Sequence, residues 1–290
     1  MDLLSFVNFY LVPGIVLGAI YALGAIGITL VFSVLRFAHL AHGDLATLGA
    51  FLVLALVTGV GINPWLALPL AMAATAGTSV AVHWLFYEHL RRRSAILTVI
   101  ASLGVALMLR AVVQVVWGVD SQSYVGGIAR PESYLGIRVK DREIWTLVAT
   151  AGLVVALQLF LGFTRWGKAM RAMSDNPDLA RLSGIDTRLT TALTWIIIGL
   201  LSAAAGFFLG INTELKSLMG WNMLLPMFAA AILGGVGRIE GAVLGGMIIG
   251  IAEECSVMFL PAEYKSALAF AVLLVMLAIR PTGLLRGKVL

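Results

Sequence analysis

Long apolar runs separated by short polar intervals restrict this fold more than any single residue does. A helix needs about 20 apolar residues to cross the hydrocarbon core of a bilayer. Runs near or above that length fall at 11–34, 43–60, 64–86, 95–118, 144–163, 189–211, 223–236, 241–260 and 265–280. The stretch from Leu3 to Leu35 exceeds one crossing and carries Pro13, which could bend it, whereas 223–236 is short for a crossing. The expectation is an all-α, polytopic transmembrane helical bundle of eight or nine membrane segments, with short or broken helices near 223–240 and a single domain over 1–290. Composition agrees: 12% charged residues against 60% hydrophobic is too little polar surface for a soluble globule, whose charged fraction is about 25%.

Loop charge sets the expected orientation. Arg36, Arg91 to Arg93, the interval 164–188, Arg238, Arg280, Arg286 and Lys288 place 13 of the 20 lysines and arginines on one side. The other side receives Arg130, Arg138, Lys140, Arg142, Lys216 and Lys265, with Arg110 inside a span. The positive-inside rule makes the first side cytoplasmic. The N-terminus then faces out and the C-terminus is cytoplasmic, which favours nine crossings. The net charge of +5 follows from these loops, so no nucleic-acid partner is expected. The lone Cys255 excludes an intrachain disulfide. The start, MDLLSFVNFYLVPG, lacks the positive n-region and cleavage site of a secretory signal and is expected to be retained.

Glycines recur at four-residue spacing. Gly237, Gly241 and Gly245, then Gly246 and Gly250, mark helix-packing surfaces where a neighbour can approach closely. Gly14, Gly18 and Ala22 repeat the pattern, as do Gly206 and Gly210. These stripes argue for a compact bundle and name no partner.

Enzyme chemistry finds little support. Gly162 to Lys168 fits the first seven positions of a phosphate-binding loop, but Ala169 has no hydroxyl for magnesium and the segment follows an apolar run, not a strand. HExxH, GxSxG and paired Cys/His spacings are absent from the sequence. No catalytic residue, bound cofactor or metal is expected. Ionisable residues within spans are the better functional signal. Arg110 lies about 24 Å along its span at 1.5 Å per residue, near the outer interface, with Gln114 one turn away. Glu253 and Glu254 lie near mid-membrane and point about 100° apart, and Glu253 is favoured for the interior. The turn RFAHLAHGDLATLGAF joins the first two spans. Its His39, His42 and Asp44 do not share one helical face, so a hydrogen-bonded turn and helix start with Gly43 is expected. His42, Gly43, Asp44, Arg110 and Glu253 are the translocation-path candidates, and each has a structural alternative as an anchor or a satisfied buried polar group.

Two wet intervals remain. The outer loop 119–143 has four basic and four acidic residues with Gly126, Gly127 and Pro131. The other, 164–188, is longer than a connector between helices needs to be, usually 2–8 residues. Asn176-Pro177 is an N-cap and N1 pair, so Asp178 to Ser183 reads as a short helix stopped by Gly184.

The segments YALGAIGITLVFSV, AHGD, GKAMRAM followed by LARLSGI, AILGGVGRIEGAVLGGMIIGIAE, EYKSALAF and RPTGLL together resemble the branched-chain amino acid permease subunits of ATP-binding-cassette (ABC) importers, of the LivH type. The similarity covers nearly the whole chain. It departs at His39, where the family usually has Asn before Phe-Ala-His-Gly, and at Glu240, where it often has Pro. The resemblance implies a permease domain in a bacterial inner membrane, with 164–188 as the cytoplasmic coupling loop. It assigns ATPase coupling to Lys168, Arg171, Ala172, Asn176, Ala180, Gly184 and Ile185. It also implies a paralogous permease as heterodimer partner, two cytoplasmic ATPase subunits that bind the ATP and Mg, and a periplasmic substrate-binding protein. Transport of branched-chain or related hydrophobic amino acids by alternating access follows. A urea or short-chain amide importer, or an ATP-independent secondary transporter or channel, are the alternatives.

Overall fold

The structure, a computed structural model, describes residues 2–90, 94–124, 131–134, 136–280, 282–285 and 287. Arg91 to Arg93, Gly126, Gly127, Arg130, Arg286 and Lys288, used above for charge and turns, lie outside the described residues. Among the described residues six helices are long and apolar enough to cross a membrane: α1 (Leu3–Leu35), α2 (His42–Val60), α3 (Pro64–Leu90), α4 (Ala95–Trp117), α5 (Asp141–Phe163) and α8 (Thr187–Asn212). Between α5 and α8 lie α6 (Arg165–Asp175) and α7 (Pro177–Leu182). Two shorter apolar helices, α9 (Met219–Gly234) and α11 (Lys265–Ile279), flank α10 (Ile239–Ser256), which carries Glu240, Glu253 and Glu254. Of the expected eight or nine crossings, six meet the length and composition of a membrane span among the described residues. The run 241–260 is shortened because α10 ends at Ser256, where the Ser256 hydroxyl returns to the Glu253 carbonyl at 2.7 Å, and a turn leads to Pro261.

Every residue of α1 from Gly18 to Val31 is buried, as expected of a helix that is apolar all round. α4, α5 and α11 instead expose Val115, Val155 and Leu274. Apolar faces of that extent suit a bilayer or protein neighbours, and the chain is an integral membrane protein.

The glycine stripes decide the central contacts. A Cβ on Gly18 would lie 2.8 Å from the Met247 Cα, one on Gly246 would lie 2.6 Å from the Ala22 Cα, and one on Gly250 would collide with Gly18. α1 and α10 thus pack antiparallel, backbone against backbone. The other stripe faces elsewhere: Gly241 abuts Gly234, and Gly245 abuts Ala230, closing α9 and α10 into a hairpin. Gly237 lies before α10, in the turn, with φ of 97°.

The helices alternate between two ends. At one end Arg36 reaches the Asp175 carbonyl at 3.5 Å, and the amides of Leu284 and Leu285 donate to the carbonyls of Leu233 and Gly234. At the other end Gln122 and Leu215 exchange backbone hydrogen bonds of 3.0 and 2.8 Å. That second end holds a feature that the all-α reading missed, a two-stranded hairpin of β1 (Glu132–Tyr134) and β2 (Ile137–Val139). Asn8 pins it to α1, donating to the Gly136 carbonyl at 3.1 Å and accepting from the Arg138 amide at 2.8 Å.

Candidate functional site

The interior site begins where α2 begins. Arg36 ends α1 in the left-handed region, φ 61°, and the chain then turns back into the bundle before a new helix starts. The Leu40 amide donates to the Ser102 hydroxyl at 3.1 Å, and residues 41–51 are all buried. A helix N-terminus carries partial positive charge, and here it is enclosed by protein with Asp44 in its first turn. The Asp44 carboxylate accepts from Arg110 Nε at 3.0 Å and Nη2 at 3.1 Å, a two-pronged pair with side-chain exposures of 1% and 15%. Such bidentate, charge-assisted bonds combine strength with fixed geometry. The guanidinium also lies 4.8 Å from the Trp221 ring centroid, and one turn along α4 Gln114 donates to Ser217 at 3.3 Å. α2 and α9 touch here closely enough that a Cβ on Gly43 would strike the Gly220 carbonyl, while the Gly220 amide donates to Thr47 at 3.0 Å.

His39, His42 and Asp44 point to three different partners. His39 Nε2 and the Tyr87 hydroxyl are hydrogen-bonded at 3.0 Å, and Trp195 meets the imidazole edge-on at 5.0 Å between ring centroids. His42 sits 3.3 Å from the Ser202 hydroxyl and against Gly27, where a Cβ would strike its ring. His83 stacks on the other aromatic neighbour, Trp195, at 5.7 Å. Together with Arg36, Met173 and Pro177, the residues His83, Tyr87 and Trp195 line a cavity of about 330 Å³, so this aromatic group lies between the α2 start and the α6–α7 segment.

The α6–α7 segment is two short helices, each closed by local caps. Thr164 leaves the α5 helix and caps α6, its hydroxyl accepting from the Gly167 amide at 3.0 Å. α6 buries Gly167, Met170 and Met173, a spacing of three that puts them on one face. Asn176 caps α7 by accepting from the Asp178 and Leu179 amides at 3.0 and 3.1 Å. α7 stops with the Gly184 amide on Arg181 and the Ile185 amide on Ala180, both 3.1 Å, the paired bonds of a Schellman ending. Gly184 has φ of 83°, which a β-branched residue would resist. Leu179 and Leu182 are left 60% and 83% exposed. Arg188, just beyond, stands 4.1 Å over the Trp84 ring.

A second polar cavity, about 440 Å³, opens at the β-hairpin end between α1, α10, α11 and the α8–α9 connection. Glu253 is 2% exposed and accepts from the Tyr21 hydroxyl at 2.7 Å. Glu254 pairs with Lys265 at 2.7 Å. Outside the helices, Glu214 accepts from Ser121 at 2.6 Å and lies 3.4 Å from Lys216. Those two contacts hold its carboxyl below the ordinary glutamate range.

Residues 10–277 match the family described as branched-chain amino acid transport system, permease component. The chain belongs to that family. Over 94% of its length the permease is 32% identical to the high-affinity branched-chain amino acid transport system permease protein LivH of Escherichia coli (strain K12), covering 93% of that relative. It is 30% identical to the corresponding BraD protein of Pseudomonas aeruginosa, over 95% of this chain and 94% of the relative. Among solved structures, PsaBC from Streptococcus pneumoniae in complex with Fab aligns with a TM-score of 0.53 at 14% identity. That alignment covers 96% of this chain and 92% of that one, a likeness of fold alone.

The permease thus brings together Asp44 and Arg110, which sequence spacing had put at opposite ends of their spans. It keeps His42 and Gly43 beside them but separates Glu253, which lies one turn from the end of α10 and not at its middle. Glu253 and Glu254 line one cavity, together with residues of α11 and of the α8–α9 connection. Of the residues that the resemblance assigned to coupling, Lys168, Arg171, Asn176 and Gly184 are exposed, Ala172 and Ile185 half-buried, and Ala180 buried. Arg171 is tied to the Leu161 carbonyl. Sequence reasoning missed Tyr87, Trp195, Ser202 and Trp221. Their side chains sit in apolar spans without a motif, and buried Trp or Tyr in a span was the one available signal.

Proposed function

We propose that this permease is the membrane subunit of an ABC importer that moves branched-chain or related hydrophobic amino acids into the cell. The α6–α7 protrusion carries this reading. It presents two exposed leucines, Leu179 and Leu182, on α7 with the exposed Arg181, and an exposed Lys168 on α6, and its caps and Schellman stop suit it to transmit a push. An ATPase subunit docks there, so that ATP binding and hydrolysis by two such subunits bias the bundle between outward-open and inward-open states. With α9, α10 and α11 counted as crossings beside the six long helices the total is nine, and α6–α7 and the C-terminus then lie in the cytoplasm of an inner-membrane protein, with the β-hairpin outside. The hairpin end meets a periplasmic binding protein, and a paralogous permease completes a heterodimer. Path residues are His42, Gly43, Asp44 and Arg110 at the α2 start and Glu253 in the outer cavity. The glycine contacts of α10 with α1 and α9 form the scaffold.

The α2 start suits such a device because a helix terminus inside the bundle offers two packings of one segment. His39, Tyr87 and Trp195 connect it to the cavity above α6 and α7. Co-expression with the neighbouring transport genes, followed by purification, tests the reading. Retention of an ATPase subunit supports the importer; its consistent absence, with transport intact, would establish an ATP-independent carrier instead.

A further inference from the structure

Two departures from α-helical geometry and one unusual backbone angle meet at the cavity beside α6 and α7. The last turn of α1, Val31–Leu35, is π-helical, and so is the stretch His83–Tyr87 within α3. A third π-helical turn, Val7–Leu11, lies at the other end of α1. Turns of this kind are rare and collect at functional sites. Arg36, next after the first of them, is the one non-glycine residue with positive φ among the described residues, a backbone state that its surroundings must hold in place. Val34, Leu35 and Arg36 from the end of α1, with His83 and Tyr87 from α3, line the cavity of about 330 Å³. That size is at the low end of the roughly 300–1,000 Å³ of small-molecule sites. The wall is apolar at Phe37, Met173, Pro177 and Trp195, and Arg36 brings an exposed cation to it. The guanidinium makes one long contact, 3.5 Å to the Asp175 carbonyl, so most of its five donors remain open to a ligand. No aspartate or glutamate is among the described residues of the wall.

We propose that this cavity binds a short aliphatic monocarboxylate, with Arg36 on the carboxylate and Leu35, Phe37 and Met173 around the hydrocarbon. A guanidinium fork matches a carboxylate with two parallel bonds. A wall without an acidic side chain gives an ammonium group nothing to pair with, so the zwitterionic amino acid is the poorer ligand. Transfer of the amino group of an aliphatic amino acid to an acceptor 2-oxo acid leaves a branched 2-oxo acid, a ligand of this class. That source rests on the amino acid transport reading above, whereas the site does not. Met173 belongs to α6 and Pro177 to α7, so an occupant stands between those helices and the ends of α1 and α3. It restrains their movement and slows the transport cycle.

The test measures binding of radiolabelled 4-methyl-2-oxopentanoate to the permease assembled with its partner permease and ATPase subunits in nanodiscs. Unlabelled 4-methylpentanoate, leucine and inorganic phosphate are the competitors. The oxo acid should bind, 4-methylpentanoate should compete, and leucine and phosphate should compete about tenfold more weakly or worse. Competition by 4-methylpentanoate equal to that of unlabelled oxo acid points to carboxylates in general, and weaker competition to 2-oxo acids. Arg36→Gln removes the charge at an exposed position and should weaken binding about tenfold or more. Arg36→Lys keeps a cation and should bind more tightly than Arg36→Gln. Ala95→Phe, at the exposed start of α4 on the same wall, should block the cavity and leave the guanidinium in place. No binding by wild type overturns the site, as does equal affinity in wild type and Arg36→Gln, unchanged binding in Ala95→Phe, or leucine or phosphate competing as well as 4-methylpentanoate. Saturating oxo acid should also lower ATPase activity about twofold or more in wild type and not in Arg36→Gln. Binding as expected with unchanged ATPase activity rejects the coupling role of α6–α7 and keeps the site. Binding as expected with transport of urea or a short amide in place of leucine rejects the amino acid source alone.

Discussion

The Asp44–Arg110 pair yields the sharpest energetic prediction, because two opposite charges are fixed in a nearly dry interior. Arg110→Met leaves the Asp44 carboxylate, 1% exposed, without the two hydrogen bonds of 3.0 and 3.1 Å that neutralise it. Breaking one side of a buried pair costs about 3–5 kcal/mol, whereas replacing both members with well-packed neutral groups is close to neutral. Asp44→Asn should cost less than Arg110→Met, about 2–3 kcal/mol, because Arg110 keeps 15% exposure and its place 4.8 Å from Trp221. The double variant Asp44→Asn with Arg110→Met should therefore be close to neutral, so the coupling energy should approach the sum of the two single losses, about 5 kcal/mol or more. Reversible unfolding of all four proteins in mixed dodecyl maltoside and SDS micelles measures it. Additive single effects, with coupling below about 0.5 kcal/mol, would refute the claim that these two charges neutralise each other in the fold.

Three further outcomes follow from contacts described above. Gly184→Val has open space around its Cβ but a backbone at φ 83°, so it should cost only about 1–2 kcal/mol while uncoupling ATP hydrolysis from uptake. Normal substrate-stimulated ATPase activity and uptake would contradict it. Leu182→Asp, at a site 83% exposed, should reduce recovery of the ATPase subunit on co-purification without shifting the thermal stability of the permease alone; unchanged recovery would remove α7 from the docking surface. Gly18→Val would force a side chain into the Met247 backbone, 2.8 Å from a Cβ, and should destabilise by about 1–3 kcal/mol as overpacking does. Unfolding at wild-type denaturant would show that α1 and α10 are free to separate.

Much of the architecture could be read along the chain, since each apolar run is a local property. The ends of α2, α3, α4 and α8 fall within a few residues of the expected spans, and the short α7 begins at Pro177 and ends before Gly184 because caps act on adjacent backbone groups. Local chemistry also gave the close-packing glycines of α10. It could not say that Gly241 and Gly245 face α9 while Gly246 and Gly250 face α1, because that depends on which helix lies opposite. The β-hairpin was missed for a related reason: three-residue strands carry little periodicity, and Asn8, which holds the hairpin, is 128 residues from Gly136.

The sequence by itself determined that the chain lives in a membrane, where its helices break, and which family it resembles, because hydrophobic length, helix caps and motifs are written in consecutive residues. Only the tertiary structure decided where the charges meet. The α2 helix starts inside the bundle, and that return of the chain, invisible in hydropathy, carries Asp44 to Arg110. Burial removes water as a partner for an ion, so each charge in the spans must find its counterpart across helices. Which partner it finds depends on packing, as Asp44 with Arg110 and Glu254 with Lys265 show, and as Glu253, one of whose buried oxygens has no partner among the described residues, shows by contrast.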